Sequence, residues 1–157
     1  MDKKEIKVMS REDCLIAASG GSTAYGIEGF DKPTAIISIS GTDEKIPEIL
    51  NSFKEDKDSL VKDVLFLRFD DIEQAEKHRK LMTLKDAIKI SLFVDSLSKE
   101  IEQIIVHCST GYSLSPAIAN GILRFYCETP KFIPPCYHPN EHCKKIMDLW
   151  IDNGMIG

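Results

Sequence analysis

Residues 104–118 read IIVHCSTGYSLSPAI, and this stretch decides the fold of the chain. It opens with three apolar, β-branched residues, a pattern typical of a buried strand. Small and polar residues follow, and a helical pattern then runs from Ala117 to Tyr126. Ser115 suits the N-cap of that helix and Pro116 its first position, where a missing N–H costs nothing. The pattern predicts a strand joined to a helix through a short loop that begins after Cys108.

The predicted loop, residues 109–115, is a candidate anion-binding site. Its backbone N–H groups would lie next to the positive end of the helix dipole, and such loops bind anions. A cysteine at the start of the loop is stabilised as the thiolate, which is the nucleophilic form of the side chain. We therefore expect Cys108 to be a nucleophile. The alternative is a buried, inert cysteine of the kind that is common in protein cores.

The motif His107-Cys108-x-x-Gly111-x-Ser113-x-Ser115 resembles the active-site loop of the cysteine-dependent protein tyrosine and dual-specificity phosphatases, His-Cys-x-x-Gly-x-x-Arg-Ser/Thr. The resemblance implies that Cys108 attacks phosphorus. It also implies that the Ser115 hydroxyl eases departure of the cysteine from a phosphocysteine intermediate. We expect His107 to orient the loop by hydrogen bonds rather than to act as a base. The implied phosphate-binding residues are Ser109, Thr110, Gly111, Tyr112, Ser113 and Leu114.

One position departs from the resembled motif, because Leu114 stands where the family has its arginine. That arginine is a bidentate clamp on phosphate, and a leucine side chain has no hydrogen-bond donor. We expect the Leu114 side chain to point into or beside the loop, and packing against neighbouring apolar side chains is the alternative. Arg68 and Arg79 could lie near the site instead, with an ordinary surface position as the alternative for both. Arg124 would lie about 15 Å further along the same helix.

Two adjacent aspartates, Asp70 and Asp71, are the candidate general acids. In the resembled phosphatases an aspartate on the corresponding loop protonates the leaving group. The segment Leu67–Ile72, LRFDDI, and the later pair Pro139-Asn140 also resemble a group of small bacterial phosphatase-like proteins. The match in that group is the aspartate before the isoleucine. Asp71 is therefore our first choice and Asp70 the second, and a turn-capping role is the alternative for either.

Strands alternate with helices along the rest of the chain, which predicts an α/β fold with a mainly parallel central sheet flanked by helices. The resemblance implies that this fold is dual-specificity-phosphatase-like, and we expect one such domain over residues 1–157. Ligands of these sheets bind beyond the carboxyl ends of the strands, so Cys108 and Asp71 should share one crevice. The other predicted strands are Ile6–Met9, Thr34–Ser40 and Val64–Phe69. The other predicted helices are Arg11–Ala18 after an N-cap at Ser10, Pro47–Phe53, His78–Glu100 with Leu92 among its apolar positions, and Pro139–Ile151 with Ile146, Leu149 and Trp150 facing inward.

Composition narrows the functional class. The formal net charge of −5 argues against a nucleic-acid or anionic-membrane surface. The absence of a signal-like segment at residues 1–10 and of a long apolar run leads us to expect a cytoplasmic protein. An odd number of cysteines, five, fits reduced thiols. We expect no cofactor and no metal, because the spacing of Cys136, His138, His142 and Cys143 matches no standard zinc pattern.

The sequence therefore predicts a protein that binds phosphate and turns it over feebly or not at all. Loss of one oxyanion donor slows catalysis by roughly 10²–10³, and a charged clamp should be worth at least as much. We expect a phosphorylated protein or a small phosphate ester as ligand, and inorganic phosphate or sulfate as simple occupants of the loop. The alternatives are an active phosphatase with a displaced arginine and, less favoured, a rhodanese-type sulfurtransferase.

Overall fold

Four parallel strands form the central sheet of the computed structural model, which describes residues 2–153. The order of the strands across the sheet is β1-β6-β4-β5. Their bounds are Glu5–Ser10 for β1, Thr34–Ser40 for β4, Val61–Arg68 for β5 and Gln103–Cys108 for β6. Two further strands, β2 at Gly21–Ser22 and β3 at Ile27–Glu28, form a small antiparallel hairpin apart from the sheet.

The two central strands are buried on both faces. All seven residues of β4 and all six of β6 are buried, as expected for a parallel sheet that helices cover on both sides. Helices α1, Arg11–Ala18, and α2, Ile49–Glu55, pack on one face. Helices α3, Leu84–Ser96, α4, Leu114–Phe125, and α5, Glu141–Asp152, pack on the other. The prediction of an α/β fold with a parallel sheet flanked by helices is confirmed. None of the helices in residues 2–153 is both long and apolar enough to cross a bilayer.

The start of α3 is later than the sequence predicts. The helix begins at Leu84 rather than at His78, because His78 has a left-handed φ of 65° and Thr83 forms a capping box with Asp86. A left-handed residue ends helical propagation, and a capping box satisfies the first free N–H groups of a new helix. Leu92, counted among the apolar positions of this helix, is 64% exposed. The predicted range, His78–Glu100, is longer because the helical spacing of apolar residues also continues into the loop before α3.

Two other helix predictions need correction. The N-cap position of α4 is occupied by Ser113, so that Ser115 and Pro116 lie inside the first turn. Ser115 is therefore not the cap, and its side chain is available to Cys108. In α5 the helix begins at Glu141 after Asn140, whose side chain accepts a hydrogen bond from the Cys143 N–H. Leu149 does not face inward as predicted, since it is 50% exposed.

The contact between α4 and α5 depends on a glycine. A Cβ atom added at Gly121 would lie 2.6 Å from Cε, 2.9 Å from Cγ and 3.0 Å from Cβ of Met147. The two helices can approach this closely only because position 121 has no side chain. This contact fixes the position of α5, whose first turn borders the loop that follows β6.

We predict that Gly121→Ala lowers the free energy of unfolding by about 1–2 kcal/mol, because Met147 must move away from the added methyl group. In a Met147→Ala background the same change should be neutral or stabilising, since alanine exceeds glycine in helix propensity by about 1 kcal/mol. Urea denaturation of the four proteins in this cycle measures both effects. Stabilisation by Gly121→Ala in the wild-type background would contradict the packing described.

Candidate functional site

The centre of the site is the sulfur of Cys108, the last residue of β6. We call residues 108–115 the Cys108 loop. The backbone N–H groups of Gly111 and Ser115 both donate to Cys108 Sγ, over 3.3 and 3.4 Å. The Ser115 hydroxyl lies 3.2 Å from the same sulfur. Donors aimed at a sulfur stabilise the thiolate, so the local geometry suits a nucleophilic cysteine.

The other buried cysteines have different surroundings. Burial raises the pKa of the Cys14 thiol to about 12 and also raises that of Cys143. In the described part of the chain, Cys108 is the cysteine whose sulfur accepts hydrogen bonds from backbone N–H groups. Cys14 and Cys143 are therefore packing residues that stay as thiols.

The first half of the Cys108 loop is pressed against the end of β1. Gly111 has a φ of 73°, and a Cβ there would lie 2.7 Å from the carbonyl carbon of Met9 and from the nitrogen of Ser10. Only glycine meets both conditions without strain. The N–H of Arg11 also donates to the carbonyl oxygen of Ser109, over 3.3 Å. The loop is thereby attached to the strand beside β6.

The second half of the loop is held from the opposite side. The N–H of His138 donates to the Tyr112 carbonyl over 3.1 Å, and the N–H of Asn140 donates to the Ser113 carbonyl over 3.0 Å. The Tyr112 and His138 rings also approach, with centroids 5.1 Å apart. The segment before α5 therefore fixes the shape of this half of the loop.

These outside contacts determine which way the loop's own N–H groups point. In a planar trans peptide the C=O of one residue and the N–H of the next point in opposite directions. The carbonyls of Ser109, Tyr112 and Ser113 are bound by groups outside the loop. The N–H groups of the residues that follow them are therefore directed away from these outside contacts. The N–H groups of Gly111 and Ser115 point inward, at Cys108 Sγ.

His107 lies behind the loop and is fully buried. Its Nε2 atom is 2.7 Å from the Ser38 hydroxyl on β4. Burial lowers the His107 pKa to about 4, and the positive charge of Arg11 adds to this shift. The imidazole is therefore neutral at pH 7. This position suits the predicted role of orienting the loop.

The structure separates the two candidate acids. Asp71 is exposed, and its Oδ1 accepts hydrogen bonds from the Ser113 hydroxyl and from Asn140 Nδ2, both over 2.8 Å. Asn140 also donates to the Ile72 carbonyl, over 3.1 Å. Asp71 is thus brought to the rim of the Cys108 loop, and no other group within residues 2–153 is hydrogen-bonded to its second oxygen, Oδ2. Asn140 is a site residue that our sequence reasoning did not assign, although the Pro139-Asn140 pair was its signal.

Asp70 is instead an internal anchor. It is 2% exposed and accepts bonds from the Thr42 N–H over 2.9 Å, the Thr42 hydroxyl over 2.8 Å and the Lys80 N–H over 2.7 Å. Burial acts to raise the pKa of this carboxyl, but the hydrogen bonds from Lys80 and Thr42 and the charge of Arg79 outweigh it and lower the pKa. Both oxygens are engaged, so the geometry favours Asp71 over Asp70 as an acid.

Leu114 does not point into the loop as expected. Its side chain is 6% exposed and belongs to the core cluster that includes Ala117 and Ile118. Position 114 therefore contributes packing at the start of α4, and only its backbone can serve a ligand. Neither of the two arginines considered as substitutes, Arg68 and Arg79, binds at the Cys108 loop. Arg68 donates to the carbonyls of Thr42 and Glu44, and Arg79 pairs with Asp70.

A groove of about 1250 Å³ begins at Asp71 and Ser113 and runs along α4. Its far wall is the segment that follows α4, which Asn120 attaches to the helix through two hydrogen bonds with the backbone of Phe132.

Residues 136–143 do not converge on a metal site. His142 contacts the Met82 carbonyl, and residues 2–153 contain no group of three or more potential ligands that could hold a metal ion.

Comparison with known proteins supports the fold. No protein-family model matches the chain, and no curated protein matches it significantly. Among solved structures it resembles the Yvh1 phosphatase domain from Chaetomium thermophilum, with 20% sequence identity and a TM-score of 0.57. The match covers 98% of this chain and 94% of that chain. The fold is that of a dual-specificity phosphatase domain. The relation to the small bacterial group and the roles of individual residues stay predictions.

His107 generates a prediction on pH dependence. The pKa of His107 in the folded protein, about 4, lies below its ordinary value of 6.5. Between these two pH values the histidine is protonated in the unfolded chain and neutral in the folded protein. Stability is therefore lost as the pH falls from 6.5 towards 4, by up to about 3 kcal/mol from this residue. His107→Gln should lose less stability than wild type between pH 7 and pH 4 in urea unfolding. The control is His138→Gln, a change at an exposed histidine. An equal loss of stability in His107→Gln and wild type would contradict the lowered pKa of His107.

Proposed function

We propose that this protein is a phosphatase-like oxyanion-binding protein with feeble or no turnover, a pseudophosphatase. The observation that carries the proposal is the sulfur of Cys108 under the N–H groups of Gly111 and Ser115, in a loop whose clamp position, Leu114, is buried in the core. The loop has the neutral donors that bind a tetrahedral oxyanion. It lacks the guanidinium that the resembled enzymes place at this position.

The arrangement assigns each group a role in any residual turnover. The Cys108 thiolate would attack phosphorus, and the bond to the ester oxygen would break. Asp71 would give its proton to that oxygen. Water would then attack phosphorus and give a proton to the Asp71 carboxylate, while the P–S bond to Cys108 breaks and the Ser115 hydroxyl stabilises the departing thiolate. An acid tied to the rim of the loop by Ser113 and Asn140 favours phosphate-ester chemistry over sulfur transfer, which needs no such group.

We propose a phosphorylated protein or a small phosphate ester as the ligand. The groove along α4 supports this choice, because it begins at Asp71 and Ser113 and offers space beyond the phosphate itself. Five free cysteines fit a reducing, cytoplasmic location for the protein.

We predict that wild type binds tungstate, a tetrahedral oxyanion, in calorimetry and hydrolyses an aryl phosphate very slowly. Gly111→Ala should abolish binding, because the added methyl group displaces the loop from β1. Residual hydrolysis should disappear in Cys108→Ser and fall in Asp71→Asn. Cys127→Ser, a change at an exposed cysteine, is the matched control. Hydrolysis that survives Cys108→Ser, or wild type that does not bind tungstate, would contradict the proposal.

Leu114→Arg provides a second test. The arginine must leave the apolar site of Leu114, so we expect a stability loss of about 2–5 kcal/mol, in the range of large core deletions. If the guanidinium reaches the loop, two charge-assisted bonds should tighten tungstate binding about tenfold or more. Leu114→Met, which keeps the volume, should change neither quantity much. A folded Leu114→Arg with unaltered tungstate affinity would contradict the expected gain and show that position 114 cannot deliver a guanidinium to the loop.

A further inference from the structure

The arginines of the chain divide into two kinds. Three of the four have firm partners, since Arg68 binds two carbonyls, Arg79 pairs with Asp70, and Arg124 pairs with Asp148 and Asp152. Arg11 is different. Among residues 2–153 no carboxylate lies within 4 Å of its guanidinium, and its side-chain hydrogen bond is a long one of 3.4 Å to the Ser40 hydroxyl.

Arg11 lies beside the Cys108 loop. It follows β1 directly, and Ser40 is the last residue of β4. Because β6 lies between these two strands, a side chain that joins their ends must cross the carboxyl end of β6. Neighbouring strands are about 4.8 Å apart, so the distance from the end of β1 to the end of β4 is roughly 10 Å. The Cys108 loop begins at the end of β6, between these two strand ends. The Arg11 N–H is bonded to Ser109 within the loop, and the Arg11 charge contributes to the lowered pKa of His107.

The electrostatics of Arg11 indicate a missing partner. The side chain is half-buried, and partly removing a guanidinium from water without a counter-charge is unfavourable. The N–H groups of Gly111 and Ser115, which point at Cys108 Sγ, and the positive end of α4 add to the positive potential at the same edge of the sheet. An anion bound there would be the counter-charge for Arg11.

We propose that Arg11, which reaches the site from the end of β1, supplies the charged contact to a bound oxyanion that Leu114 cannot supply. This inference rests on the proposed function and adds a residue to its site. Arg11 begins α1, on the face of the sheet opposite to α4. The Arg11 cation would therefore approach the loop from the face of the sheet opposite to α4.

The test is tungstate affinity in Arg11→Gln and Arg11→Met, measured by calorimetry beside wild type. A charged hydrogen bond contributes about 1.5–3 kcal/mol, so we expect the dissociation constant to rise about 10- to 100-fold in both variants. Arg11→Met keeps the apolar stem and its packing. Arg124→Gln removes an equally charged side chain whose partners are Asp148 and Asp152, and it should bind as wild type does.

A measurement on wild type makes the result independent of how the variants fold. The Nε–H NMR signal of Arg11 should shift on titration with tungstate, while that of Arg124 should not. An unchanged Arg11 signal at saturation, or unchanged affinity in folded Arg11 variants, would overturn the role of Arg11 and leave the proposed function standing. Wild type that does not bind tungstate at all would overturn both.

Discussion

The site depends on the way its loop carbonyls are bound from outside. The N–H groups of Arg11, His138 and Asn140 bind three carbonyl oxygens of the Cys108 loop, and the planarity of each peptide then directs the next N–H group away from that contact. The shape of the loop is therefore a property of three segments that meet at one edge of the sheet.

Asn140 connects this loop to the rest of the fold. Its backbone N–H binds the loop, its side-chain nitrogen holds Asp71 and Ile72, and its side-chain oxygen begins α5. One buried residue thus sets the relative positions of the acid, the loop and the last helix. The close contact between Gly121 and Met147 keeps α5 at the distance that this arrangement requires.

Leu114 stands where the resembled phosphatase motif has an arginine. Its side chain adds apolar packing at the first turn of α4 and offers the loop no charged group. If Arg11, the residue after β1, supplies the positive charge as we propose, binding is favoured over turnover. Turnover requires a cation positioned for the transition state, whereas binding requires only a favourable potential.

The sequence by itself determined the layered α/β fold, the strand-to-helix loop at Cys108 and the acid-bearing turn after β5, since these follow from local patterns. Runs of β-branched residues, turn formers and small residues favour the same local structures wherever they occur. Helix ends were less predictable: α3 begins six residues late because Thr83 and Asp86 form a cap that the apolar spacing does not reveal. Only the tertiary structure decided that Asp71 faces the loop while Asp70 is buried, that Leu114 turns into the core, and that Arg11 crosses the end of β6. Each of these depends on side chains distant in sequence, whose contacts are set by the order and register of strands rather than by the residues next to them.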